Sequence, residues 1–481
     1  MERLVRESED TALLLNRLGY VLDCSPEESL GWSVLEEIVI SGVQAGLLEQ
    51  TCLIAKRITE RSAPHEVFLS LINAALTGRL ETRISLPILR SLLMRIESAS
   101  KRNQSTYQMI LEGAVQAVAK ALVEQETWDW TEGEEEEIDW TPDDDAKLLQ
   151  ELFEFLSVLK PEINDEANVS FALGFLSLYV RFHGFDEEQA ALVVSKVVSV
   201  LNLSGFHLDC FWTRKRSRSC DLGLSIVFSF VVLLGFDIQK NDSGLSSPDR
   251  FLQSISMLKV LLSSQYLTLH GYAIQIVSRL LIGINNHLFS EEQIAEYELV
   301  NLVIAMLGFV SSCPSDSVRD SVLYCVDKVL LTFDMTALSK SVRYLAITAP
   351  DANISASVVL RNIKPRSSLV FQNPGDLVDF TDSILSHSLN SSGQAVADEM
   401  PKTLALLSLL AQTRSSSLFR GSEAVRCIEL LKRFQSKLLE LRNELLADLE
   451  NDEFGIVNLL LAQTGACLHS CEGVIARLSE V

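Results

Sequence analysis

The stretch Cys467-Leu468-His469-Ser470-Cys471 comes nearest to a metal-ligand pattern in this chain. Zinc takes thiolate and imidazole ligands, four to a structural site. On a helix Cys467 and Cys471 share a face one turn apart, whereas His469 points about 200° away and cannot join them. Two thiols do not make a zinc site, so two cysteines in a packed helix are expected, and no metal. The seven histidines, His65, His183, His207, His270, His287, His387 and His469, have no neighbouring acid placed to make a general base. The chain holds no GxGxxG, no Walker loop, no HExxH and no GxSxG. The expectation is a protein without catalytic residues, cofactor or metal.

Two other constellations suit contact with a partner. Residues 423 to 449 read as one long helix with Cys427, Leu431, Phe434, Leu438, Leu441 and Leu445 at alternating spacings of four and three. That is a coiled-coil type of seam, too short for a free coiled coil and expected to close an intramolecular hairpin. Its other faces carry Lys432, Arg433, Lys437 and Arg442. A second cluster, Arg343, Arg361, Lys364 and Arg366, falls near two consecutive hairpin ends. Cations at helix C-termini are favourable in any protein; the functional alternative is a basic pocket for an acidic or carbonyl-rich surface. In contrast, residues 124 to 145 hold twelve acids and no Lys or Arg, together with Trp128, Trp130 and Trp140. Adjacent glutamates repel and resist packing, so this segment is expected to be an exposed, disordered loop. Its Trp rings either fold back on a neighbouring helix or dock a basic, grooved partner.

Helices must position these groups. Ser25-Pro26-Glu27-Glu28 is a start signal, with Ser25 as cap and Glu28 three residues later. Leu35, Ile38, Val39, Val43, Leu47 and Leu48 then recur at helical spacing. Further stripes begin at Pro64 and cover 88 to 96 and 109 to 122. The pattern resumes at Asp145, expected as an N-cap, and continues as a hairpin over 164–182 and 187–203 around His183-Gly184. Leu222 to Phe236 is the most apolar run, fifteen residues long, short of the ~20 a membrane span needs, and reads as a buried core helix. The turn-rich Asn241 to Pro248 is the best boundary between two halves. Beyond it helices are expected over 251–262, 266–284, 291–310, 316–332, 336–347 and 354–363. A less regular patch at 365–375 comes next, then helices over 377–389, 396–410, 423–449 and 454–478. The organisation expected is N-terminal repeats (1–123), the acidic loop (124–145), central repeats (146–240) and C-terminal repeats (249–481).

No strand-like alternation is sustained anywhere. Pro is only 11 of 481 residues, which favours long unbroken helices. Roughly eighteen helices cannot share one core, so stacked hairpins must bury one another. The fold class expected is all-α, an irregular HEAT- or armadillo-like α-solenoid with a loose period of about forty residues. A net charge of −23 argues against nucleic acid, which needs a basic footprint. About half of that charge belongs to the 124–145 segment, and the rest of the chain carries −11. The nine cysteines, Cys24, Cys52, Cys210, Cys220, Cys313, Cys325, Cys427, Cys467 and Cys471, fall mostly in helical pattern and imply no disulfide framework. A charged N-terminus, MERLVRESED, lacks the apolar stretch of a signal peptide. A monomer in a reducing compartment, the cytoplasm or also the nucleus, is expected, with no membrane contact.

Residues Ser317 to Arg366, SVRDSVLYCVDKVLLTFDMTALSKSVRYLAITAPDANISASVVLRNIKPR, resemble the glomulin family, which includes the plant aberrant lateral root formation proteins. So does the order of the elements downstream: a loop at Phe371 to Pro374, DLVDFTDSIL, a helix containing LALLSLL (Leu404 to Leu410), a long helix, and a closing EGVIARLSE (Glu472 to Glu480). The upstream TRKRSRS followed by LGLSIVFSFVVLLGF is similar as well. The resemblance runs from about Leu201 to the C-terminus. It implies a HEAT-like repeat protein that binds the RING-box subunit of cullin–RING ubiquitin ligases and masks the surface that receives the ubiquitin-conjugating enzyme. By charge and location within the matching region, Arg343, Arg361, Lys364, Arg366, Arg433 and Arg442 are the expected contacts. The chain departs from the family in being shorter than typical members and in carrying the acidic Trp segment. The alternative is a general helical-repeat scaffold that uses Trp128, Trp130 and Trp140 to dock a basic partner.

Overall fold

In a computed structural model of the chain the described residues are 11–24, 34–97, 100–126, 142–183, 185–206, 211, 221–236, 246–349, 351–371, 373–390, 394–413, 422–447 and 456–479. Among them every named element is helical. The fold is an all-α array of stacked hairpins. The Ser25 cap and the three tryptophans lie outside the described residues. The chain forms two compact units, Met1–Gly244 and Leu245–Val481, parted within the expected linker.

The first unit contains α1 (Thr11–Cys24), α2 (Leu35–Gln44), α3 (Leu48–Arg61), α4 (Pro64–Ala75), α5 (Arg79–Arg95), α6 (Lys101–Glu126), α7 (Pro142–Phe155), α8 (Asp165–His183), α9 (Glu187–Leu203) and α10 (Asp221–Leu234). Each helix packs on those one to three places along the chain, the solenoid pattern. The N-terminal and central stretches form one unit, because α6 packs on both α7 and α8. The ends of the acidic segment, 124–126 and 142–145, belong to α6 and α7 and are helical. Asp145 sits in the first turn of α7 instead of capping it, since Pro142 opens the helix with its preset φ. Pro87 lies inside α5, which starts at Arg79 and not at Ile88. Burial of Ile84, Leu86, Ile88, Leu89, Leu92 and Leu93 offsets the lost backbone bond. Asp186 caps α9 through the Gln189 N–H, so the 165–203 hairpin forms as expected.

A buried polar node ties α6 to α8. The Tyr107 hydroxyl donates to Asn168 Oδ1 at 2.6 Å and accepts from the Lys160 N–H at 2.8 Å. Asn168 donates in turn to the Lys160 carbonyl at 3.1 Å. Burial holds the phenol well above its ordinary titration range. Tyr107→Phe strands two buried polar groups, so a loss of ~1–3 kcal/mol is expected in denaturant unfolding. An unchanged midpoint would show that the node does not matter to stability. On α10, Gly223 permits a backbone approach to α8 and its N–H donates to Ser177 Oγ at 2.8 Å.

The second unit contains α11 (Ser247–Leu262), α12 (Leu267–Leu280), α13 (Glu291–Glu296), α14 (Leu299–Ser312), α15 (Asp316–Leu331), α16 (Met335–Thr348), α17 (Ala352–Val358), α18 (Ser367–Val370), α19 (Pro374–Asn390), α20 (Gln394–Asp398), α21 (Met400–Thr413), α22 (Ser422–Ala447) and α23 (Ile456–Ser479). A π-helical turn, Val359–Ile363, and a 3₁₀ turn, Lys364–Arg366, connect α17 to α18. The helices fall into rows. A spine runs through α11, α14, α17, α21 and α23, each packing on the next. One flank is α13, α16, α19 and α22. The other is α12 and α15, continued to the π turn by the Arg361–Asp327 ion pair.

Three expectations in this unit are corrected. Residues 291–310 form two helices, broken at Glu298, whose φ is +55°. Its carboxylate is held by Lys259 of α11 and by Asn301, which fixes the break without Gly or Pro. Residues 396–410 are likewise split at Glu399, because Pro401 lacks an N–H to continue the preceding helix. The patch expected to be irregular at 365–375 is mostly short helical turns.

Candidate protein interaction site

The cysteine and histidine chemistry resolves into packing. Cys427, Cys467 and Cys471 are all buried where α22 meets α23, and Cys471 Sγ approaches the Leu431 carbonyl at 3.4 Å. Burial, with a smaller contribution from a neighbouring ionisable group, pushes each of these thiols up to about 12. His469 stays exposed on the opposite side of α23, as the helix geometry requires. Among the described residues no group of three or more His, Cys, Asp or Glu is placed to hold a metal ion. The histidines are tied into the fold: His65 to Thr106 Oγ1 at 3.0 Å, His183 to Gln189 Oε1 at 3.3 Å, His270 to the Ser264 carbonyl at 2.6 Å and His287 to the Phe333 carbonyl at 2.9 Å. His207 and the His387 side chain lie outside the described residues.

The expected seam of α22 faces inward. Cys427, Leu431, Phe434, Leu438, Leu441 and Leu445 are buried, and α22 packs along α23 as a terminal hairpin. Helix α23 is also long and apolar enough to cross a membrane by length and composition, unlike the 14-residue α10. Its buried positions Thr464, Cys467, Leu468, Cys471, Val474 and Leu478 recur at helical spacing on one side.

The structure separates the six expected contact cations. Arg343, on α16, pairs with Asp376 of α19 at 3.8 Å and lines a shallow groove with Asp379, Phe380 and Ile347. Arg361 sits on the opposite flank and gives two hydrogen bonds to Asp327 Oδ2, at 3.1 and 2.9 Å, while Asn362 donates to the other carboxylate oxygen. The wide π turn lets two successive side chains reach one carboxylate. Lys364 donates to Ser408 Oγ of the spine at 2.6 Å. Arg366 folds back on Asn362, at 3.4 Å. Arg433 and Arg442 are exposed and have no carboxylate partner among the described residues. Nine residues apart, they point to about opposite sides of α22.

Of these two, Arg433 is the one that faces α19. With Lys437 it lines a groove of about 380 Å³ whose other walls include Asp382, Ser386, Leu389, Asn390 and Leu430. Three cations on this flank are paired, Lys340 with Glu291, Arg426 with Asp379 and Asp382, and Lys437 with Glu440, whereas Lys432 is exposed without a carboxylate partner among the described residues. The groove thus sets the Arg433 guanidinium, which has no carboxylate partner among the described residues, beside Leu389 and Leu430 in an otherwise polar lining, a geometry that receives a carbonyl or carboxylate beside an apolar side chain. Sequence reading found the cation but not the groove, which needs the packing of α19 on α22.

No family model matches the chain, and no curated protein matches it. Among solved structures the chain is similar to a circular tandem repeat protein with novel repeat topology and enhanced subunit contact surfaces, at 12% identity over 99% of this chain and 94% of that one, with a TM-score of 0.29. A likeness of that size carries no argument about fold or function.

Proposed function

We propose that this chain is a non-catalytic regulator whose C-terminal unit docks the RING-box subunit of cullin–RING ubiquitin ligases and blocks the ubiquitin-conjugating enzyme. The observation that supports it most is the groove between α19 and α22, where Arg433 has no carboxylate partner among the described residues. The resemblance of Ser317 to Arg366 and of the helices after it to glomulin-like proteins supplies the partner. Such a regulator works by occupying a surface, so it needs an interface of ordinary size, about 1,600 Å², and no chemistry of its own.

The test is binding of the purified full chain to a cullin–RING-box complex, read together with ubiquitin transfer. The wild-type chain is expected to bind and to slow transfer. Arg433→Glu is expected to weaken binding about tenfold, the scale of reversing one interfacial charge. Arg442→Glu, on the other side of α22, is expected to change it little. A wild-type chain that neither binds nor inhibits rules the proposal out. Deleting residues 127–141 is expected to leave inhibition intact; loss of binding on that deletion would favour the scaffold reading.

A further inference from the structure

The opposite flank holds a second groove, between the end of α12 and the middle of α15, with a volume of about 360 Å³. That is within the ~300–1,000 Å³ range of ligand clefts. It is lined by Ser278, Leu281 and Cys325, the last of them buried. Two large apolar side chains stand open at its rim, Ile282 at 75% exposure and Tyr324 at 55%.

The wall is fixed in advance. Residues 283–290 form a strap laid against the turn between α15 and α16. The His287 N–H donates to the Leu331 carbonyl at 2.9 Å, the Phe289 N–H to the Thr332 carbonyl at 2.9 Å, and the Asp334 N–H to the Phe289 carbonyl at 2.8 Å. His287 Nδ1 adds a bond to the Phe333 carbonyl at 2.9 Å, so this nitrogen carries the proton. His287 itself has φ +58°, a left-handed conformation uncommon outside glycine. Phe289 and Phe333, both buried, anchor the strap from below. A cleft with a preset wall loses little freedom when it is filled.

Charge selects the occupant. Lys328 lies one turn beyond Tyr324 on the same side of α15, with its ammonium 5.4 Å from the ring centroid. It is exposed and has no carboxylate partner among the described residues. The adjacent acid, Asp327, is already committed to Arg361 and Asn362. Asn286, also on the wall, presents an amide that can pair with a peptide backbone.

We propose that this groove receives a short linear segment of another protein, seating an apolar side chain between Ile282 and Tyr324 and an acidic residue against Lys328. The site lies on a different helix flank from the α19–α22 groove and does not depend on the RING-box reading.

The probe is a library of random twelve-residue peptides displayed on phage and panned against the full-length chain. Enriched sequences are expected to share an apolar residue with Asp or Glu within about three positions. The leading sequence, synthesised with a fluorescent label, is expected to bind Lys328→Glu about tenfold more weakly than wild type, a reversal of one exposed ion pair. Tyr324→Ala is expected to weaken it similarly, and Lys432→Glu, on α22, to leave it unchanged. Both groove positions are exposed, so circular dichroism and melting should match wild type. The proposal is overturned if no apolar–acidic peptide is enriched, or if the leading peptide binds Lys328→Glu and Tyr324→Ala as tightly as wild type.

Discussion

Gly223→Ala is expected to destabilise the first unit by about 3 kcal/mol or more, the upper range of overpacking effects. A Cβ at this position falls 2.1 Å from the Leu173 carbonyl oxygen, 2.9 Å from its carbon and 3.0 Å from Ser177 Oγ. The obstacle is backbone, so no rotamer change relieves it. Either α10 moves away from α8 or the Gly223 N–H loses its bond to Ser177. The first exposes apolar surface, because Leu224, Ile226, Val227, Phe228 and Phe230 are buried along the same helix, and the second strands a backbone donor. Denaturant unfolding with hydrogen exchange on α8 and α10 measures the effect. Gly19→Ala is the control, since a Cβ there meets nothing within 4 Å. Equal midpoints for the two variants would refute the close approach.

Phe434→Ala should cost a similar ~3–5 kcal/mol. Phe434 is fully buried in the seam between α22 and α23, between the turns of Leu431 and Leu438. This hairpin closes its unit, with α19 and α21 as its neighbours on one side only. An end repeat has fewer contacts to share a loss, so the damage should stay local. Faster hydrogen exchange confined to α22 and α23 is the expected signature, with α11 to α17 unaffected. Binding through the α19–α22 groove should fall with it, because Arg433 is carried on the loosened helix. Exchange that accelerates evenly through the unit would show that the hairpin is not a separate element.

Much of this architecture was legible in the residues. The hairpin 165–203, the seam of α22 and the boundary near residue 244 all follow from apolar spacing and turn composition. What escaped is what depends on partners distant in sequence. The break at Glu298 is made by Lys259, and nothing local to 291–310 announces it. The helix through Pro87 survives because the apolar residues on either side of it in sequence, Leu86 and Ile88 among them, are buried against other helices. The candidate sites show the same limit. Charge alone grouped six cations, yet helix phase puts Arg433 and Arg442 on opposite sides, and Asp376, Asp327 and Ser408 engage Arg343, Arg361 and Lys364. The groove at Lys328 had no local signal, since its two walls come from helices α12 and α15.

The three sulfurs of the terminal hairpin carry a last consequence. Burial pushes the thiols of Cys427, Cys467 and Cys471 up to about 12, so the reactive thiolate is suppressed, and none is reachable from solvent. Their reactivity is therefore set by how often α22 and α23 part, and not by sulfur chemistry. An oxidant or alkylating agent acts on them as a clock for that opening, and each reaction traps the open hairpin by placing a bulkier or polar group where a thiol must pack.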